Sequence, residues 1–129
     1  MKDTVTLTVA SLLSILLFSL HWADEIARGI ETGRLSNIGG VAILLVWLCG
    51  TLVLAERRSG YIVTLLGSIF GVGVLALHMS GAGLVSNRIV NTGRVLFWVW
   101  TLIAMGTAAS LSGVLSVRGL WRLRRSRSR

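Results

Sequence analysis

Long apolar blocks alternate with short polar connections along the chain. No block carries a formal charge, and none has the spacing by which a helix of a water-soluble bundle keeps a charged face. Each block is close to the roughly 20 residues with which a helix crosses about 30 Å of hydrocarbon, and an open strand would leave its backbone unpaired in lipid. The pattern predicts an all-α integral membrane protein with a four-helix transmembrane bundle. The predicted spans are Thr4–Trp22, Ser36–Ala55, Tyr61–Ser80 and Val95–Val117.

Composition agrees with lipid as the surrounding medium. Of the 129 residues, 53% are hydrophobic and 14% are charged, whereas about a quarter of a soluble domain is charged. The one cysteine, Cys49, lies inside an apolar block, where a thiol behaves as a small hydrophobe. We therefore treat residues 1–129 as a single transmembrane domain without an internal disulfide.

Basic residues between the blocks predict the orientation. With the N-terminus inside, nine of the 13 lysines and arginines are cytoplasmic and four are outside, as the positive-inside rule favours. Both termini are then cytoplasmic, and residues 118–129 form a basic cytoplasmic tail. The inner connection, residues 56–60, is so short that the second and third helices must be antiparallel neighbours. In the longer outer connection, residues 23–31 predict a short helix lying at the membrane surface.

A shift of 60 residues brings two outer segments into register. Residues 28–34 (RGIETGR) then lie over residues 88–94 (RIVNTGR), with both arginines, the threonine and the glycine identical. This match indicates an internal duplication, in which two tandem helical hairpins are related by an axis along the membrane normal. Each Thr-Gly-Arg element would turn the chain and anchor the next helix at the outer head groups.

Small residues mark candidate helix contacts, because helices in lipid associate by close packing. The third block contains a GxxxG pair, and the fourth block has small residues at similar spacing. These faces can close the bundle, or hold a second copy of the chain or a larger membrane complex. The residues are Gly67, Gly71, Gly106, Ser110 and Gly113.

One cluster at the predicted outer surface has residue types that bind metals. His21 is followed by Asp24 and Glu25 at spacings that place the three side chains near one helix face, and His78 closes a helix that runs in the same direction. Two imidazoles and two carboxylates could bind Zn²⁺, Cu²⁺ or Fe²⁺, and the two histidines could instead ligate a haem. The structural alternative is that both histidines bond loop backbone and that Asp24 pairs with Arg28.

The basic tail is a second candidate site. Its arginines could bind anionic lipid head groups, or they could act only as an orientation signal. Nothing else in the chain offers a surface for nucleic acid, so we expect none to bind. The tail residues concerned are Arg122, Arg124, Arg125, Arg127 and Arg129.

Three functions are compatible with these patterns. The favoured one is a structural or accessory membrane protein that packs against itself or a larger complex. The first alternative is a metal- or haem-binding membrane protein, and the second is a small transporter or channel lined by serines and threonines of the first helix. The acidic residues all lie at or beyond the ends of the spans, which disfavours ion-coupled transport. No arrangement typical of catalysis occurs in the sequence, so we favour a protein without enzymatic activity.

Three segments carry a family resemblance, namely residues 21–29 (HWADEIARG), 56–61 (ERRSGY) and 116–121 (SVRGLW). They resemble small bacterial four-span membrane proteins that are themselves uncharacterised. The resemblance covers most of the chain and implies a bacterial inner membrane and a shared four-helix layout. It implies no activity and no ligand residues.

Overall fold

In a computed structural model, residues 2–31, 37–80 and 95–127 are described, and they form four α-helices without any strand. The all-α class is therefore confirmed for these residues. Three of the helices are long and apolar enough to cross a membrane, whereas the second has 15 residues and is about 22 Å long. The helices are α1 (Lys2–Ala27), α2 (Ile38–Leu52), α3 (Arg58–Ser80) and α4 (Val95–Arg127).

The first helix is longer than its apolar block. The separate surface helix predicted for residues 23–31 is wrong, because α1 continues without a break to Ala27. Neither glycine nor proline occurs between Trp22 and Ala27, so nothing in the sequence interrupts the helical hydrogen bonds. The chain turns only at Gly29, whose φ of 69° is the left-handed conformation that glycine adopts without a steric penalty.

A tight turn joins α2 to α3. The second helix ends at Leu52, three residues earlier than the pattern predicts, and Glu56 takes a φ of 63° within the turn. The turn brings the carbonyl of Leu54 so close to Gly60 that a Cβ atom there would overlap it. Glycine, which has no Cβ atom, is therefore what allows so short a connection at the start of α3. The predicted start of this span, Ser36, lies outside the described residues.

The fourth helix continues to Arg127, past the predicted end of its span at Val117. The first part of the predicted tail is thus helical, with Gly119 lying against the ring of Tyr61 on α3. Leucine and arginine, which make up much of this segment, are good helix formers. Arg129 lies outside the described residues.

The helices form a bundle in which α4 packs against both α1 and α3, and α2 packs against α3 and α1. At one end, Thr4 donates a hydrogen bond to Glu56 and Arg122 pairs with Asp3. This end carries the start of α1, the α2–α3 turn and the end of α4, and we call it the basic end. The opposite end carries His21 and His78, and we call it the histidine end.

Four of the five predicted packing residues lie against a neighbouring helix. Gly67 faces the indole of Trp47, and Gly71 faces Ala109 and the same indole. Gly106 lies against Leu75, and Gly113 lies against Ser68. Ser110 is different, because it is exposed and its hydroxyl donates to the carbonyl of Gly106 in its own helix.

Polar and apolar side chains are distributed as expected for a protein in lipid. Ser11, Ser14 and Ser68 are buried, whereas Leu66, Leu77 and Leu96 are among many large apolar side chains on the outside. The core is formed by Phe18, Trp98, Leu102 and Met105. The matched Thr-Gly-Arg elements at 32–34 and 92–94 lie outside the described residues, so the duplication stays a prediction.

Candidate metal site

Three side chains from two helices meet at the histidine end. Oε1 of Glu25 lies 3.5 Å from Nε2 of His21 and 3.2 Å from Nε2 of His78. One ligand atom from each of the three residues lies within 4.8 Å of both others. His21 is 1% exposed, Glu25 is 9% exposed and His78 is half-buried, so the group is enclosed on the side of α1 and open beside α3.

The end of α1 fixes the position of Glu25. His21 and Glu25 are four residues apart and therefore lie one above the other on the same helix face. The helix then closes with a Schellman motif centred on Gly29: the backbone N–H of Ile30 donates to the carbonyl of Glu25 at 3.0 Å, and that of Gly29 donates to the carbonyl of Ile26 at 3.0 Å. The backbone at Glu25 is thus held by α1 on its N-terminal side and by the Schellman motif on its C-terminal side.

The orientation of His78 is fixed by its own helix. Its Nδ1 lies 2.7 Å from the carbonyl oxygen of Val74, one turn earlier in α3. A carbonyl oxygen only accepts hydrogen bonds, so Nδ1 must carry the hydrogen. In a neutral imidazole, Nε2 then has the lone pair, and this atom faces Glu25.

The orientation of His21 is fixed by α4. Its Nδ1 lies 3.2 Å from the hydroxyl oxygen of Thr101. That hydroxyl is 3.0 Å from the carbonyl oxygens of both Phe97 and Trp98, so its one hydrogen is directed at backbone. Thr101 therefore accepts from Nδ1–H of His21, and Nε2 of His21 again has the lone pair.

In their neutral forms, both histidines therefore present an unprotonated Nε2 to one carboxylate. Nε2 of His21 has no hydrogen-bond partner among the described residues, although the atom is buried. A buried polar atom without a partner is uncommon in folded proteins and costs free energy. Two lone pairs that face a carboxylate oxygen repel one another unless a proton or a cation lies between them.

Trp98 closes the site from the side of α4. Its ring centroid lies 5.1 Å from that of His21 and 5.4 Å from that of His78, and its side chain is fully buried. The indole Nε1 has no acceptor within the described part of the chain. Trp98 therefore provides an aromatic wall with one donor that no described residue accepts.

Asp24, the fourth residue of the predicted cluster, does not join the other three. Its Oδ2 lies 2.6 Å from Nε of Arg28, one turn later on the same helix face. This is the pairing that the structural alternative predicted for Asp24. An arginine four residues after an aspartate is well placed to bind it, and Glu25 has no such neighbour at Gly29.

The donor set matches known kinds of metal centre. Two imidazole nitrogens and one carboxylate oxygen bind catalytic zinc and non-haem iron(II), with positions left open for water or substrate. Ligand atoms at about 2.0–2.1 Å from a tetrahedral zinc ion are about 3.3 Å apart, close to the separations of Glu25 from the two histidines. An Nδ1–H bond to an oxygen acceptor is the usual outer-shell arrangement of metal-bound histidine.

Sequence spacing does not indicate that Thr101 and Trp98 belong to the cluster. Depth along the bundle could have indicated Thr101, because it lies six residues after the start of α4 and His21 lies six residues before the end of the antiparallel α1. The pattern could not show which faces of the two helices meet. Trp98 lies near the start of the fourth predicted span, a position where tryptophan is typical of the membrane surface, whereas its side chain is fully buried.

The arginines of the basic tail have different surroundings. Arg122 pairs with Asp3, and the guanidinium of Arg125 lies 5.1 Å from the ring centroid of Trp121. Arg124 lines a groove between α3 and α4. Arg127 ends α4.

Comparison of the chain with protein-family models, curated proteins and solved structures finds no match.

Proposed function

We propose that this protein binds a divalent transition-metal ion between His21, Glu25 and His78. The observation that carries the proposal is the buried Nε2 of His21, which faces a carboxylate at 3.5 Å without a hydrogen bond. A cation at the centre of the group would give both Nε2 lone pairs and the carboxylate oxygen a common partner.

A proton explains the geometry less completely than a metal ion does. If His78 were an imidazolium, its Nε2–H would donate to Oε1 of Glu25, which is 3.2 Å away. That bond would leave Nε2 of His21 buried beside the same carboxylate and still without a partner. A metal ion accounts for both histidines at once.

Zinc and iron(II) are the two ions that this ligand set suits. Three protein ligands leave at least one coordination position, and the half-buried side of His78 is where a water molecule or a ligand can enter. A haem is disfavoured, because the carboxylate of Glu25 is within 3.5 Å of both Nε2 atoms and competes for the space of a porphyrin. The site supports metal binding, and no reaction is proposed for it.

The location that we propose is a bacterial inner membrane, crossed four times, with both termini cytoplasmic. The basic end gathers the start of α1, the α2–α3 turn and the end of α4, as the positive-inside rule favours for a cytoplasmic face. Gly40 near the start of α2 lies against Trp22, and Glu56 after its end contacts Thr4. The short α2 and its turn therefore extend over the same depth as the apolar block of α1. The family resemblance also supports a bacterial inner membrane.

Metal titration of the detergent-purified protein tests the proposal. We expect wild-type protein to bind about one Zn²⁺ or Co²⁺ per chain, with the visible absorption of tetrahedral cobalt in the second case. Glu25→Gln and His78→Gln each remove one ligand and should weaken binding by more than the 10- to 100-fold typical of outer-shell changes. Asp24→Asn is the matched control, because it removes a neighbouring carboxylate that binds Arg28 instead.

Two results would contradict the metal assignment. One is equal metal affinity in the Glu25→Gln and Asp24→Asn variants, which would show that the carboxylate is no ligand. The other is a Soret band in the purified protein that is lost on His21→Ala, which would favour haem.

The structural or accessory role stays a prediction. Gly67, Gly71, Gly106 and Gly113 already serve contacts inside the bundle, so their presence needs no second chain. The transporter alternative also stays a prediction, and Ser11 and Ser14 of α1 are buried among packed side chains.

A further inference from the structure

A groove between α3 and α4 at the basic end combines two arginines with an apolar wall. Arg58, the first residue of α3, and Arg124, near the end of α4, both line it. Ile62, Leu65, Leu120 and Trp121 form the wall below them. The groove has a volume of about 460 Å³, which is within the range of about 300–1,000 Å³ typical of ligand sites.

The two arginines differ in their surroundings from the other cations nearby. Arg122 pairs with Asp3, and Arg125 lies over the ring of Trp121. For Arg58 and Arg124 there is no ion pair among the described residues, and both also line a second cavity together with Glu56 and Ser126. The carboxylate of Glu56 accepts a hydrogen bond from Thr4, so its charge is partly engaged on α1.

From this arrangement we infer that the groove binds an anionic phospholipid. The lipid phosphate would be held by Arg58 and Arg124, whose guanidinium groups suit phosphate oxygens, and one acyl chain would lie along Ile62 and Leu120 toward the membrane interior. Basic pockets between membrane helices on the cytoplasmic side bind anionic head groups in this way. The inference rests on the membrane location proposed above and is independent of the metal site.

The apolar wall decides between a lipid and free phosphate as the ligand. Ile62 and Trp121 are both exposed, and each lies about one helical turn from the neighbouring arginine of its helix, on the side of the membrane interior. Free phosphate would use only the two guanidinium groups and would leave this surface uncovered. An acyl chain covers it.

Native mass spectrometry of the full chain in detergent, with added phosphatidylglycerol or phosphatidylcholine, tests the inference. We expect wild-type protein to retain phosphatidylglycerol in preference to phosphatidylcholine. The double variant Arg58→Gln/Arg124→Gln should lower phosphatidylglycerol binding by about tenfold or more. The matched control Arg57→Gln/Arg118→Gln removes the same charge from exposed residues of the same end that do not line the groove, and it should bind like wild type.

A third variant tests the acyl chain. Ile62→Trp fills the groove and keeps both arginines, so it should weaken phosphatidylglycerol binding. Glycerophosphoglycerol, which has no acyl chain, should compete with phosphatidylglycerol no better in this variant than in wild-type protein. Equal losses in the two double variants would overturn the inference and would indicate a diffuse charge effect. Unchanged phosphatidylglycerol binding in Ile62→Trp would contradict the acyl-chain contact and would indicate that the arginines bind only the phosphate. Membrane fractionation of each variant separates these outcomes from a failure of membrane insertion.

Discussion

The hydroxyl oxygen of Thr101 on α4 lies 3.2 Å from Nδ1 of His21 on α1. Both residues are buried, and no other acceptor for this nitrogen occurs among the described residues. The contact joins two helices and also selects the tautomer of His21. Because Nδ1 donates its hydrogen to Thr101, the neutral ring has its lone pair on Nε2, which faces Glu25. A single threonine thus connects helix packing with the chemistry of the site.

The first prediction concerns this threonine. Thr101→Val keeps the shape of the side chain and removes the acceptor, so His21 loses the bond that orients it. We expect Zn²⁺ affinity to fall by about 10- to 100-fold, as for other outer-shell changes. Thr107→Val is the control, because Thr107 is exposed and bonds only the backbone of its own helix at Ile103. Wild-type affinity in Thr101→Val would show that the contact has no part in metal binding.

The second prediction concerns a buried polar contact between α1 and α2. Ser11 accepts a hydrogen bond from Nε1 of Trp47 at 2.9 Å and lies 2.7 Å from the hydroxyl of Thr51. Ser11→Ala leaves the indole donor buried without an acceptor, which should lower the free energy of unfolding by about 1–2 kcal/mol. Ser19→Ala should change it by less than about 0.5 kcal/mol, because Ser19 bonds only its own helix at Ile15. Unfolding by a denaturing detergent measures both, and equal effects would argue against the interhelical contact.

The third prediction compares two glycines of α3. A Cβ atom at Gly67 would overlap the buried indole of Trp47, whereas a Cβ atom at Gly73 meets nothing within 4 Å. Gly67→Ala should therefore destabilise the bundle by about 1–2 kcal/mol, since overpacking exceeds the gain in helix propensity. Gly73→Ala should stabilise it by up to about 1 kcal/mol. The midpoints of thermal unfolding in detergent should move in opposite directions, and a shift of both in the same direction would contradict the packing.

The fourth prediction concerns orientation in the membrane. Glu31 follows α1 at the histidine end and Ser126 lies at the basic end, and both side chains are exposed. In a background with Cys49→Ala, an impermeant maleimide added to intact cells should label Glu31→Cys and spare Ser126→Cys. Labelling of both after the cells are opened is the control for reactivity. The reverse pattern on intact cells would place the histidine end in the cytoplasm.

The candidate metal site was predictable in part. Sequence spacing placed His21 and Glu25 on one helix face, and equal depth indicated His78 on the parallel helix. Spacing could not separate Glu25 from Asp24, because both lie near that face. The pairing of Asp24 with Arg28 and the position of α3 beside Glu25 decided between them.

The amino-acid sequence by itself determined the all-α class and the approximate position of each apolar helix, because uncharged blocks of about 20 residues have few alternatives. Only the tertiary structure decided which faces of those helices meet. Apolar side chains surround every one of these helices, so hydrophobic periodicity hardly distinguishes an inward face from an outward one. Close packing at glycines and a few hydrogen bonds, such as those of Ser11 and Thr101, set the rotation of each helix. That rotation brings His21, Glu25 and His78 together.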